Sequence, residues 1–398
     1  MSAEFGPARP DRAEVGMPAV VLVTSSFLPR FGGVEEHTLN VARQLRDRGH
    51  RVVVWAVEQG DDDVPRAVDG IPVRYLPCPL PARSGKAMLH FVAALPAAVA
   101  RWVAAWRADR PDVLHVQCFG PNGVYAWALS RCARTPLVVS SHGETFMDAD
   151  GAFESSALLR GALRAALRSA DAVTACSAFT AAHLVAGYGL PAGRGQVVPN
   201  GIDTQEAGGQ APPWLPVSYV LGVGRLVHNK GFDLLIDAFA TLDRDDVRLV
   251  IGGDGPELGA LRAQVDALGL SGQVLLPGRL SRAEVVAVMA GATALVVPSR
   301  IEAFGITILE GWRAGIPVVA TRRGGPPEFV ADGVTGLLVD PEDRGQIANA
   351  IATLLDEPAL AARLGTAGRT AVRGYTWADV AARYEGIYRE VGAGTAVR

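Results

Sequence analysis

The chain has 398 residues, 49% hydrophobic and 20% charged, with a net charge of −3. That length predicts two or three soluble domains, and the near-neutral balance calls for no nucleic acid. Its four cysteines, Cys78, Cys118, Cys132 and Cys176, form no CxxC pair. This argues against a disulfide framework or a zinc site and fits a reducing cytoplasm. No uninterrupted apolar run reaches the roughly 18 residues of a membrane span.

Residues 1–16 mix Pro, Gly and both charge signs without an apolar core, and read as a disordered leader. A strand is expected over 19–27, then a glycine loop, Phe31-Gly32-Gly33. A helix over 34–48 stops at Gly49, and a strand over 51–57 completes a βαβ start. Gly32-Gly33 suits a phosphate loop, although a tight turn accounts for it equally. It is neither a Walker A loop nor GxGxxG, which argues against a dinucleotide oxidoreductase. Further strands fit 113–117, 137–141 and 172–175, with helices that include 89–107 and 156–169. His142, in Ser141-His142-Gly143-Glu144, follows a strand. It reads equally as a sugar contact or as a hydrogen-bonded loop histidine. Phe119, Tyr125 and Phe146 in the same region would suit an acceptor, or ordinary packing. Arg160, Arg164 and Arg168 form a basic stripe, and 89–107 mixes apolar residues with two arginines. Either would allow peripheral membrane contact, but a solvated face or a helix packed on its sheet is the commoner meaning.

Pro199-Asn200-Gly201-Ile202-Asp203 and the Gly- and Pro-rich stretch to Pro216 read as a linker. A second series follows, with strands over 219–223, 248–251, 274–276, 294–298, 317–320 and 336–339. The last helices lie around 346–355 and 378–391. The expected fold class is α/β: two Rossmann-like βαβ domains, 17–200 and 217–375, face each other across a cleft. The linker is 201–216, and 376–398 forms a C-terminal helix. Gly252-Gly253-Asp254-Gly255-Pro256 ends one strand of the second domain, where glycines permit close backbone approach to a ligand or a tight turn.

The most informative segment is Glu302-Ala303-Phe304-Gly305-Ile306-Thr307-Ile308-Leu309-Glu310. One carboxylate falls in a strand-to-helix loop and the other inside the helix that follows. Ligands of open α/β sheets bind at such carboxyl ends, and a helix N-terminus there offers free N–H groups to an anion. Basic residues are almost all arginine; only Lys86 and Lys230 are lysine. Arg225 and Lys230, in Gly224-Arg225-Leu226-Val227-His228-Asn229-Lys230-Gly231, follow the first strand of the same domain. Lys and Arg are not interchangeable at tight sites, so a lysine kept here points to function. Two cations and a helix N-terminus suit a diphosphate, with Glu302 open to sugar hydroxyls and Glu310 to ribose hydroxyls. Leu280, in Gly278-Arg279-Leu280, lies where backbone groups could meet a base edge.

Together these residues resemble the GT-B glycosyltransferases of family 4. The resemblance spans about residues 19–391. It rests on Glu302-x7-Glu310 with Phe304-Gly305-Ile306, Gly224-Arg225…Lys230-Gly231, Pro199-Asn200-Gly201-Ile202-Asp203, Gly32-Gly33-Val34-Glu35 and Ala314-Gly315-Ile316-Pro317-Val318-Val319-Ala320. It implies retaining transfer of a hexose or N-acetylhexosamine from a UDP- or GDP-sugar to a hydroxyl acceptor, a glycan, lipid-linked or small molecule. In that family Arg225 and Lys230 would hold the diphosphate with N–H groups near Gly305, Ile306 and Thr307, and Gly32 and Gly33 would close over from the first domain. Glu302 would bind the sugar with His142, and Glu310 the ribose. The nucleotide sugar is a co-substrate; no metal or other cofactor is implied. The final helix would cross back onto the N-terminal domain. A phosphorylase or epimerase of the same fold, or a non-catalytic nucleotide-binding protein, are the competing readings.

Overall fold

The computed structural model describes residues 17–29, 32–60, 64–81, 85–148, 151–206 and 208–395. The expected leader, 1–16, and Phe31 of the glycine loop lie outside them.

Two parallel-dominated sheets with interleaved helices form the molecule. The first contains β1 (Ala19–Thr24), β2 (Arg51–Val57), β3 (Ala67–Val68), β4 (Ile71–Leu76), β5 (Val113–Gln117), β6 (Leu137–Ser141), β7 (Ala172–Ala175) and β8 (Gly195–Val197). Their order is β3-β4-β2-β1-β5-β6-β7-β8, with only β3–β4 antiparallel. The second contains β9 (Tyr219–Val223), β10 (Arg248–Gly252), β11 (Val274–Gly278), β12 (Ala294–Val297), β13 (Val318–Thr321) and β14 (Leu337–Val339), ordered β11-β10-β9-β12-β13-β14. In each sheet the chain winds outward from a central strand, then returns to that strand's other side. The reversals fall between β1 and β5 and between β9 and β12, and crevices open at such points.

Most expected strands appear within a residue or two. The strand expected over 19–27 stops at Thr24. Phe27 is apolar because it is buried beneath the sheet, not because the strand continues. β12 ends before Pro298, which has no N–H for the ladder. β3, β4 and β8 go beyond the expected set and lie towards the two ends of the first sheet.

Each sheet buries both faces, as parallel sheets require. One face of the first sheet packs on Trp102, Leu159, Leu163 and Leu184. The other packs on Leu39 and Leu45 and on Trp377, Tyr384, Ile387 and Tyr388 of the last helix, Trp377–Thr395. That helix therefore completes the core of the first sheet although the second sheet precedes it in sequence. Glu385, 6% exposed, accepts from His50 Nε2 at 2.9 Å and Arg48 at 3.1 Å. The chain crosses between sheets twice, side by side. Ile202 N donates to Tyr375 O at 2.8 Å, and Ile202 bridges Thr376 in parallel.

The helix Gly85–Asp109 behaves differently from its surroundings. Trp102 and Ala105 in its second half are buried, whereas Met88, Leu89, Val92 and Val99 are exposed. Over Met88–Asp109 it is long and apolar enough to cross a membrane. Arg101 and Arg107 break the sequence into shorter apolar runs, but the segment as a whole stays apolar.

Trp377→Ala should lower stability by about 3–5 kcal/mol, the usual cost of truncating a buried tryptophan. Urea denaturation followed by circular dichroism measures this. A loss under about 1 kcal/mol would mean that the last helix is not part of the first core.

Candidate active site

The loop after β12 is built to be rigid. Arg300 reaches Asp233 through two bonds of 2.8 and 2.6 Å, and Arg300 N donates to Asn229 O at 2.9 Å. This ties residues 298–302 to the loop after β9. That loop ends in a short turn, His228–Lys230. Lys230 Nζ meets Glu302 Oε2 at 2.6 Å, and the fully buried Ser299 hydroxyl donates to the same oxygen at 2.9 Å. The two residues expected on diphosphate and sugar are thus partners. Arg225 lies exposed in the loop after β9 and makes no side-chain ion pair with any described residue.

The helix Ile306–Ala314 starts at Gly305, whose φ of 96° is left-handed and whose side offers no cap. The N–H groups of Ile306 and Thr307 have no acceptor among the described residues, as the first turn of a helix dictates. Phe304 takes no part through its ring, which is buried and stacks on Phe329 at 4.7 Å. Its role is to anchor the loop. A side chain at Gly33 would begin 3.7 Å from Ile306 Cδ1, so the first domain's glycine loop stands directly over this helix start. Gly32 precedes it as the helix cap residue.

The first domain also grips residue 303. Ser177 Oγ donates to Ala303 O at 2.7 Å, and Ala303 N points at Met147 Sδ at 3.2 Å. Gly143 has φ of 94°, and a Cβ there would lie 2.5 Å from that of Ala303. Only glycine fits. Glu328, after β13, adds a second clasp: its carboxylate accepts Ala178 N at 2.7 Å and Phe179 N at 2.6 Å, at the start of the helix Ala178–Tyr188.

Two families together cover nearly the whole of this architecture. Residues 31–206 match glycosyltransferase family 4, and residues 216–371 match glycosyl transferases group 1. The D-inositol 3-phosphate glycosyltransferase of Acidothermus cellulolyticus is 32% identical over 90% of this chain and 86% of its own length. The chain belongs to the GT-B glycosyltransferases of family 4. The GDP-mannose-dependent alpha-(1-6)-phosphatidylinositol monomannoside mannosyltransferase of Mycolicibacterium smegmatis is 29% identical over 92% of the enzyme and 96% of its own length. Sucrose-phosphate synthase from Thermosynechococcus elongatus shares the fold, with a TM-score of 0.79 at 23% identity, covering 94% of the enzyme and all of that chain. Anabaena HepE, solved in complex with UDP and glucose, superposes with a TM-score of 0.73 at 25% identity, covering 92% and 98%.

Sequence reasoning leaves Glu310 open to a ribose. In the structure its carboxylate, 5% exposed, is paired with Arg282. Arg282 also holds Glu206 of the linker through bonds of 2.7 and 2.6 Å and lies 3.3 Å from Glu36 of the helix Gly33–Asp47. The glycosyltransferase therefore has a charged hub joining three segments. No sequence signal marks it, because Arg282 lies 76 residues from Glu206 and 28 from Glu310. Burial, and then the Glu310 carboxylate, pushes the Glu36 carboxyl up to about 7. Leu280 fills the space over Gly252, where a Cβ would lie 2.5 Å from its Cδ1. Gly253 likewise faces protein rather than ligand, packed on the Gly224 carbonyl. Phe119 is core, and Tyr125 stacks on Trp102 at 5.4 Å with its hydroxyl on Pro79 O. Phe146 remains half-buried beside Phe179 and His183.

His142 sits in a buried group of histidines. Its ring meets His37 at 4.5 Å, and its Nε2 is 2.8 Å from Gln117 Oε1. Burial holds the His142 imidazole down at about 4 and His115, buried beside His142, at about 3. Burial, then His142, pushes His37 well below its ordinary value. Unfolded, these rings protonate near pH 6.5. Below that pH the unfolded chain binds protons that the native chain refuses, so stability falls with acidification. Glu36 and the buried Glu144, both raised, act in the opposite sense but are outnumbered. The melting temperature should be level above about pH 7 and fall from about pH 6.5 towards pH 4. A melting temperature that rises over that window would contradict neutral rings.

Proposed function

We propose that the enzyme is a retaining hexosyltransferase that moves a sugar from a nucleotide donor to a hydroxyl of an inositol-type or lipid-linked acceptor. GDP-mannose is the favoured donor because mannosyltransferases dependent on it align along almost the full chain. The observation that carries this reading is the Lys230–Glu302 pair beside the open N–H groups of Ile306 and Thr307, with Gly33 opposite. An entering diphosphate would take the Lys230 ammonium, Arg225 and the helix N-terminus. Glu302, released from Lys230, would then accept hydroxyls of the donor sugar. Ribose hydroxyls would replace Arg282 at Glu310.

Transfer follows from that placement. The bond from the anomeric carbon to the phosphate oxygen breaks as the acceptor oxygen attacks from the same face. The departing oxygen takes the acceptor's proton, and Lys230, Arg225 and the helix amides stabilise the charge left on the diphosphate. Glu302 lies paired beside the sugar position, which suits a hydroxyl ligand better than a nucleophile.

Lys230→Ala should lower kcat by about 10²–10³-fold, the range for removing one preorganised charge partner. Glu302→Gln should lower kcat/KM with folding intact. Rates are measured with GDP-mannose, UDP-glucose and UDP-N-acetylglucosamine, and the product's anomeric centre is read by NMR. Wild-type rates in both variants, or an inverted centre, overturn this reading. Donor breakdown that needs no acceptor would instead indicate a phosphorylase or epimerase.

The acceptor side extends to the helix Gly85–Asp109. Residues 70–108 contain no Asp or Glu, against 41 in the chain, and include Lys86 and Arg107. Leu89 is 73% and Val92 57% exposed on this helix. An exposed apolar face in an acid-free, basic stretch fits the surface of an anionic bilayer at the inner face of the membrane. The enzyme should sediment with vesicles containing phosphatidylglycerol, and Leu89→Asp with Val92→Asp should release it without loss of solubility. Equal recovery in the supernatant with and without vesicles would remove the membrane from this reading.

A further inference from the structure

The last helix does more than close the first core. Tyr384 and Tyr388 direct their hydroxyls into a buried polar group at the carboxyl end of β5 and β6. Tyr388 OH lies 2.6 Å from His115 Nδ1, and Ser140 Oγ lies 2.6 Å from His115 Nε2. Tyr384 OH lies 3.2 Å from His37 Nε2 and 3.4 Å from Ser140 Oγ. Asn200, at the crossing between sheets, holds His37 Nδ1 at 2.8 Å. His115 and Gln117 are two apart on β5 and so share a face.

Gln117 stands where this group meets the cleft. Its amide nitrogen is 3.3 and 3.2 Å from the two nitrogens of the His115 ring. Both of those nitrogens already have hydroxyl partners, so the amide lies against the ring rather than in line with a lone pair. An N–H group is attracted to such a π surface, and a carbonyl oxygen is repelled. The amide oxygen therefore points the other way, to His142 Nε2 at 2.8 Å. A neutral imidazole facing a carbonyl oxygen must carry its proton on that nitrogen. His142 Nδ1 is then an acceptor. It has no partner among the described residues and is not sealed from solvent.

We propose that Gln117, seated against the His115 ring that Tyr388 of the last helix holds, is a positioning residue that fixes His142 as its Nε2–H tautomer, so that Nδ1 accepts a hydrogen bond from a hydroxyl of the donor sugar. This rests on the proposed sugar contact of His142. It adds a specificity rule: the site prefers a sugar with a hydroxyl at that position over its deoxy or fluoro analogue. The C-terminal helix thereby reaches the chemistry through Tyr388, His115 and Gln117.

The other titratable groups around the His142 ring are His37, His115 and Glu144, with Tyr384 behind His37. Nitrogen-15 NMR of the full chain reads the tautomer directly. Wild type should show His142 protonated at Nε2 at pH 7.5. Gln117→Leu should mix the tautomers and lower kcat/KM by roughly 5- to 10-fold, the worth of one neutral hydrogen bond. Gln117→Glu should keep the proton on Nε2 but raise the pH at which the ring charges, and the acid limb of the kcat/KM profile should move up with it. Tyr388→Phe should give a smaller loss in the same direction. His142 protonated at Nδ1 in wild type, or Gln117 variants with unchanged tautomer and unchanged pH profile, overturn the inference. His142→Ala at wild-type rate overturns instead the assignment of His142 to the sugar.

Discussion

Residue 303 is the point at which the two sheets are pinned. Its carbonyl takes the Ser177 hydroxyl, its N–H faces Met147, and its methyl fills the space left by Gly143. Ala303 is 3% exposed, so a carbonyl left there without a donor would cost about 1–3 kcal/mol. The separation of the sheets is therefore set by satisfied polar groups and not by apolar contact alone. Glu302 and the start of the helix Ile306–Ala314 flank this point and inherit its register. The glycine loop of the first domain meets Ile306 for the same reason.

Three buried carboxylates, two beside that pin and one on the last helix, each have a cation from another segment. Glu302 has Lys230, Glu310 has Arg282, and Glu385 has Arg48. Buried ions left unpaired are strongly destabilising, while the net value of a buried pair is small. Such pairs hold geometry at little net stability and can exchange partners when a charged ligand arrives. The two pairs in the cleft have that character. The pair on the last helix ties that helix to the first core.

The fold was largely legible because its signals are local. Apolar runs of four to seven residues bounded by Gly and Pro placed most strands, and Gly49 and Gly315 marked helix ends. The misses also have local causes: Phe27 lengthened an apolar run without extending a strand, and two arginines masked the hydropathy of the helix Gly85–Asp109. The cleft segment was legible in part. Spacing placed Glu302 before a helix and Glu310 within it. Spacing did not show that Lys230 pairs with Glu302, that Arg282 covers Glu310, or that the Phe304 ring turns into the core. Those contacts join residues 72 and 28 positions apart, or depend on which way a loop faces.

The sequence by itself determined two wound α/β units and a helix start flanked by two glutamates near a lysine and an arginine. Periodicity, turn residues and helix caps act over a few positions, so they survive in the chain without its partner segments. The tertiary structure alone decided which charges neutralise which, that Gly143 faces Ala303, and that the last helix reaches Gln117 through Tyr388 and His115. Those outcomes follow from long-range burial. A charge or hydroxyl removed from water must find a partner, and the partner is chosen by the packing of sheets that no short stretch of sequence specifies.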